Sequence, residues 1–200
     1  MSRRPIGTVA RCPRCALLPE LCLCDVLQPQ PCRTQVVVFM HRREAAKPTN
    51  TGRLVPLLLE GSEVRLRGTV GAPLELDDVL TGPRRALLLD PTARSVLDPA
   101  LAAADPRPVT LLAADGTWRQ ARRALNRHPL LARVTRVRLP AGPPSRYRLR
   151  DPRGPEKLAT LEAIARALGV LEGHAVQARL EAVFDLLVER TLFSRGAQYR

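Results

Sequence analysis

The chain has 200 residues, 45% of them hydrophobic, which is enough to bury a core and lies well outside disordered composition. Its net charge is +13, and of 32 basic residues only Lys47 and Lys157 are lysine. Arginine forks match phosphate geometry, so the balance favours a polyanion, with nucleic acid as the leading partner class. The apolar runs at 36–40, 54–59, 86–89 and 109–114 are too short to span a bilayer, and no apolar stretch precedes Cys12 as a secretion signal requires. A cytoplasmic protein without membrane contact is expected.

Five cysteines crowd the first 33 residues. Cys12-Pro13-Arg14-Cys15 and Cys22-Leu23-Cys24 form two close pairs that can surround one tetrahedral ion, and residues 1–33 carry too little apolar surface to fold unaided. A structural zinc ion on Cys12, Cys15, Cys22 and Cys24 is therefore expected. Disulfides are disfavoured without a signal segment, and a redox pair leaves the second cysteine pair without a purpose. Cys32 reads as a small buried residue or a surface thiol.

Gln35-Val36-Val37-Val38-Phe39-Met40 is a β-branched run and predicts a buried strand. It ends in a loop dense in His41, Arg42, Arg43, Lys47, Asn50 and Arg53, a candidate binding edge with phosphate contact points. A helix is predicted over 52–60, with Thr51 as its cap and Pro56 near its first turn. Residues 61–80 read as hairpin-like or irregular.

Two further buried strands are predicted at 85–89 and 109–114, each ending in an acidic corner: Asp90-Pro91-Thr92 and Asp115-Gly116-Thr117. A helix follows the second corner from Trp118. Strands alternating with helices argue for a mainly parallel sheet, whose ligands sit at the carboxyl ends of the strands. An Asp/Thr helix cap beside a core tryptophan is the plainer account of the second corner. Arg136-Val137-Arg138-Leu139 alternates as a half-exposed strand, and the proline-rich stretch 140–144 holds out Ser145-Arg146-Tyr147-Arg148-Leu149-Arg150. Thr160 reads as the cap of a helix with Glu162 in its first turn and Gly169 as its stop. A longer helix at 175–191 carries the apolar stripe Val176, Leu180, Val183, Phe184, Leu187 and Val188.

Taken in order, these motifs resemble the DTW-domain family, named for an Asp-x-Thr-Trp motif that stands here as Asp115-Gly116-Thr117-Trp118. The match includes residues 47–54, 145–150 and 158–163 and the cysteine pairs. The resemblance implies a SPOUT-like α/β domain over 34–200 with a C-terminal trefoil knot, beside the zinc module of 1–33. It implies an enzyme that transfers the 3-amino-3-carboxypropyl group of S-adenosylmethionine to N3 of a tRNA uridine and releases methylthioadenosine. A knotted-fold RNA methyltransferase and a non-catalytic RNA-binding protein are the alternatives.

On this reading Asp115 takes the N3 proton or holds the cofactor's ammonium. Leu89, Asp90, Pro91, Leu112, Ala113, Ala114 and Leu149 hold the adenosine and thioether, with Thr117, Trp118, Tyr147, Thr160 and Glu162 around them. Arg148, or another arginine of that loop, clamps the cofactor carboxylate. Arg42, Arg43, Lys47, Asn50 and Arg53 grip the RNA. A monomer without an obligatory protein partner is expected.

Overall fold

The computed structural model describes residues 10–69, 71–149 and 157–196. Five strands, β1 (Gln35–His41), β2 (Glu63–Arg67), β3 (Arg85–Leu89), β4 (Val109–Asp115) and β5 (Thr135–Val137), form one sheet in the order β2-β1-β4-β3-β5. Every pairing is parallel. Central strands of such a sheet are covered on both faces, which is why β1 and β4 are almost uninterrupted apolar runs.

Alternation sorts their side chains into two cores. Val36, Val38, Met40, Leu87, Leu111 and Ala113 enter the larger one, and Val37, Phe39, Leu88 and Leu112 the smaller. Helices α6 (Thr160–Leu171) and α7 (His174–Ser194) pack into the larger core with α2 (Val55–Leu58) and residues of the N-terminal segment. Helix α3 (Asp77–Leu80), α5 (Trp118–Arg127) and the 3-10 turn Pro129–Ala132 cover the other face. The short helices α1 (Arg42–Ala45) and α4 (Pro99–Ala103) lie in the connections after β1 and β3.

The predicted buried strands are present, and the structure corrects four other expectations. Glu63-Val64-Arg65-Leu66-Arg67 is a regular edge strand paired with β1 from Val37↔Glu63 to His41↔Arg67. Its position at the sheet edge accounts for its low apolar content. The expected helix at 52–60 is a 3-10 turn, Gly52–Leu54, leading into α2, and Thr51 makes no side-chain cap there. The cap of α6 is Ala159; Thr160 is already helical, and its hydroxyl is directed to another partner. Gly169 does not end α6, because the helix runs on to Leu171. A Cβ at that position would lie 1.9 Å from Gln177 Oε1, so the missing side chain leaves room for the Gln177 amide. The α7 stripe is core as expected, with Leu180, Phe184 and Leu187 fully buried.

Candidate active site

The carboxyl ends of β1 and β4 lie level, with Met40 opposite Asp115. Asp115 is 6% exposed and is held from two distant parts of the chain. Asn50 donates its Nδ2 to Asp115 Oδ2 at 2.5 Å, and the Thr160 hydroxyl donates to Oδ1 at 2.8 Å. Asn50 Oδ1 in turn accepts the Arg53 backbone N–H at 3.0 Å, and Thr51 Oγ1 accepts the N–H of Leu161. The loop after β1 and the first turn of α6 are thereby fastened to the end of β4.

Gly52 is part of this arrangement, since a Cβ on it would stand 2.7 Å from Asp115 Oδ2. Arg67, at the end of β2, donates to the Gln120 carbonyl at 2.9 Å. Burial lowers the pKa values of Arg67 and Arg53, and the Asp115 charge opposes that shift in both. The helix-cap reading is right for Thr117, whose hydroxyl accepts from Gln120 N while Gln120 Oε1 accepts from Thr117 N. The Asp115 carboxylate is directed to Asn50 and Thr160. Trp118 opens that helix, and its side chain lies outside the described residues.

A cavity of about 640 Å³ opens at the same end of the sheet. Its walls are residues 89–91, 113–114 and 137–144, with Gly116, Ala121 and Leu125 on one side and Leu158, Thr160, Ala163 and Arg166 on the other. It lies at the carboxyl ends of β3, β4 and β5, as expected for an open parallel sheet. Thr160 joins it to Asp115. Among the expected ligand-binding residues, Leu89, Asp90, Pro91, Ala113, Ala114 and Thr160 line the cavity. Leu112 and Leu149 are buried in the two cores, and Thr117 and Arg148 are exposed. Arg166 and Arg138 are the cations on the wall.

The two acidic corners are built differently. Asp90 satisfies itself locally, accepting from Thr92 N and Oγ1 on Oδ1, and pairs through Oδ2 with Arg136 at 3.1 Å. It shapes the wall with no carboxylate oxygen left unpartnered.

Glu162 is a clasp. It is 2% exposed and accepts from Ser145 Oγ (2.5 Å), Arg146 N (2.8 Å) and Ala159 N (2.8 Å). Tyr147, expected beside the cofactor, acts as a strut: its hydroxyl donates to the Thr49 carbonyl at 2.5 Å and its ring packs on Phe184 at 5.9 Å. Together they fix the loop that carries the proline-rich wall. Glu162→Ala leaves three donors without their acceptor, and we expect it to cost about 2–3 kcal/mol. Urea unfolding measures this directly; a midpoint equal to wild type would remove the clasp from the account.

The cationic loop divides into two groups. Arg42 and Arg43 are exposed, whereas Lys47 pairs with Glu44 at 2.5 Å and Arg53 donates to the Ala45 carbonyl. Asn50 is 3% exposed and is occupied with Asp115 and Arg53, so it holds the site together and offers no phosphate contact. His41 caps α1 through Nδ1; burial, then Arg67 and Arg43, lower its pKa. Arg67 and Arg166 carry no local motif, and sequence reasoning missed them; Gly52 lies within the 47–54 motif, but its contact with Asp115 shows only in the fold.

The sulfurs of Cys12, Cys15, Cys22 and Cys24 all lie within 4.8 Å of one another. Cys12 and Cys24 are 3.4 Å apart, and Cys15 and Cys22 3.7 Å. Four sulfurs on a tetrahedral zinc at about 2.3 Å would be separated by about 3.8 Å, so the set fits such an ion. Backbone N–H groups of Cys15 and Arg14 lower the Cys12 thiol to about 6, whereas burial first, then Cys12 and Cys22, push Cys24 up to about 12. A zinc ion bound among the four sulfurs would hold them all as thiolates.

Fold and site define a parallel α/β protein with a ligand cavity at the strand ends and a buried carboxylate beside it. The DTW domain profile matches residues 9–192, and the chain belongs to the DTW-domain family. It is 31% identical to a tRNA-uridine aminocarboxypropyltransferase 2 of Drosophila melanogaster, over 87% of this chain and 71% of that protein. A protein of the same name from Macaca fascicularis is 28% identical over 99% of this chain and 67% of its own length. Among solved structures, the SAM-dependent rRNA:acp-transferase Tsr3 from Vulcanisaeta distributa aligns with a TM-score of 0.48 and 20% identity, covering 81% of this chain and 78% of that one.

Proposed function

We propose that this protein transfers the 3-amino-3-carboxypropyl group of S-adenosylmethionine to N3 of a tRNA uridine, releasing methylthioadenosine. The observation that carries this reading is a buried carboxylate, held on both oxygens and joined through Thr160 to the wall of a 640 Å³ cavity on the same strand ends. Family membership and the names of the relatives support it. The cavity suits the donor molecule: it has the volume of a small-ligand pocket, mostly apolar walls for an adenosine and thioether, and arginine for a carboxylate.

Residues 89–91, 113–114 and 137–144 would hold the adenosine end, and Arg166, which reaches the cavity where Arg148 does not, would take the carboxylate. When bound, S-adenosylmethionine supplies a sulfonium, whose departure as a neutral thioether makes the adjoining carbon reactive without further activation. The chain's own task is at the acceptor. Uridine N3–H is a weak acid, and Asp115 takes its proton as the N3–C bond forms and the C–S bond breaks. Asn50 and Thr160 fix the direction of the carboxylate, so the rest of catalysis is alignment.

The same reading includes the division into a zinc module over 1–33 and a catalytic domain over 34–200, with a trefoil knot in its C-terminal part. It also takes the protein as a cytoplasmic monomer; among the described residues no helix is long and apolar enough to cross a membrane.

Purified protein incubated with S-adenosylmethionine and unmodified tRNA should give methylthioadenosine and an aminocarboxypropyl-uridine, both read by mass spectrometry. S-adenosylhomocysteine with a methylated nucleoside would replace this reading by the methyltransferase one.

A further inference from the structure

We infer that the outer face of α5 is a docking strip for the phosphate backbone of the RNA substrate; this rests on the function proposed above. The helix carries Arg119, Arg122 and Arg123, all exposed, at positions that 3.6 residues per turn place within about 100° of its circumference. Its inner face is apolar: Leu125 is buried in the smaller core, and Ala121 and Leu125 line the cavity. One helix thus has the ligand site on one side and an arginine strip on the other.

A merely solvated face ordinarily mixes signs, because like charges three or four residues apart repel. Here α5 has no acidic residue in its first turn, and none of the three arginines has an ion-pair partner among the described residues. Arg119 also stands in that first turn, where the helix dipole disfavours a cation. The placement opposes helix stability on both counts, and a polyanion laid along the strip removes both penalties.

The strip does not stand alone. Since Met40 and Asp115 are in register, Arg42 and Arg43 leave the sheet at the same edge as α5, and the Arg67–Gln120 bond ties the end of β2 to that helix. Five exposed arginines therefore flank the edge at which Asp115 and the cavity lie. Phosphate contacts along these arginines set the position of the RNA without reading its sequence.

The test is equilibrium binding of unmodified tRNA to the full chain across a potassium chloride series. The combined variant Arg119→Gln, Arg122→Gln, Arg123→Gln is compared with wild type. Arg179→Gln, an exposed arginine on α7 across the sheet, is the control. The triple variant should bind about tenfold or more weakly, with the slope of log affinity against log salt reduced by about 2–3. Its thermal midpoint should equal or exceed that of wild type, since repulsion is relieved, which separates the effect from misfolding. Affinity and slope equal to those of the Arg179→Gln control, with product still formed by wild type, would overturn the strip and leave the enzyme reading standing. Wild type that neither retains tRNA nor forms product would overturn both.

Discussion

Asp115→Asn is expected to lower kcat/KM for tRNA by about 10²–10⁴-fold while leaving the thermal midpoint near wild type. The two acceptor oxygens face different kinds of partner. Asn50 presents an amide N–H that only donates, whereas Thr160 presents a hydroxyl that donates or accepts. An asparagine with its oxygen toward Asn50 and its NH₂ toward Thr160 satisfies both, so these two bonds survive while the proton acceptor is lost. Asp115→Ala is the poorer experiment, because it orphans both donors and costs about 1–3 kcal/mol of stability as well. Near-normal turnover by the asparagine variant, measured by methylthioadenosine release, would refute Asp115 as the base.

Removal of the metal should have the largest effect on stability. We expect one zinc per chain, and both chelation and Cys22→Ser to cost about 4 kcal/mol, lowering Tm by roughly 8–16 °C. The cysteine segment is built into the fold: Cys15, Leu17, Leu23 and Leu27 are at most 2% exposed within the larger core. On the far side, Arg190 of α7 donates to the carbonyls of Leu21 and Cys22. Freeing the segment uncovers that part of the core. Cobalt substitution offers an independent reading through its thiolate charge-transfer absorption. Protein that binds no metal, with Tm unaffected by chelator, would overturn the assignment.

Legibility in the sequence followed how local each determinant is. β1, β3 and β4 were readable because burial on two faces demands a continuous apolar run, and the Asp115 corner because a strand stops there at a glycine. β2 was not, since an edge strand with one neighbour keeps its polar residues. Thr160 was read as a cap because its residue type fits one, but the neighbouring Ala159 takes that place and frees the hydroxyl for Asp115. Asn50 passed for a surface polar residue in a cationic loop, since nothing within a few residues reports a partner 65 positions away. Arg166 lies on a helix with ordinary periodicity, and only the fold turns it toward the cavity.

The spacing of the Asp115 contacts also bears on when the protein becomes competent. The bonds to Asp115 close separations of 65 and 45 residues, and parallel pairing makes every strand contact non-local as well. Such contacts form late, after the entropy of long loops has been overcome. During synthesis β4 and its carboxylate emerge well before Thr160 does. A nascent chain that has extended only through α5 has the acid but lacks the α6 hydroxyl that aims it and the wall that α6 supplies to the cavity. Activity should therefore appear in one step as the last third of the chain docks, with no partly active folding intermediate beforehand.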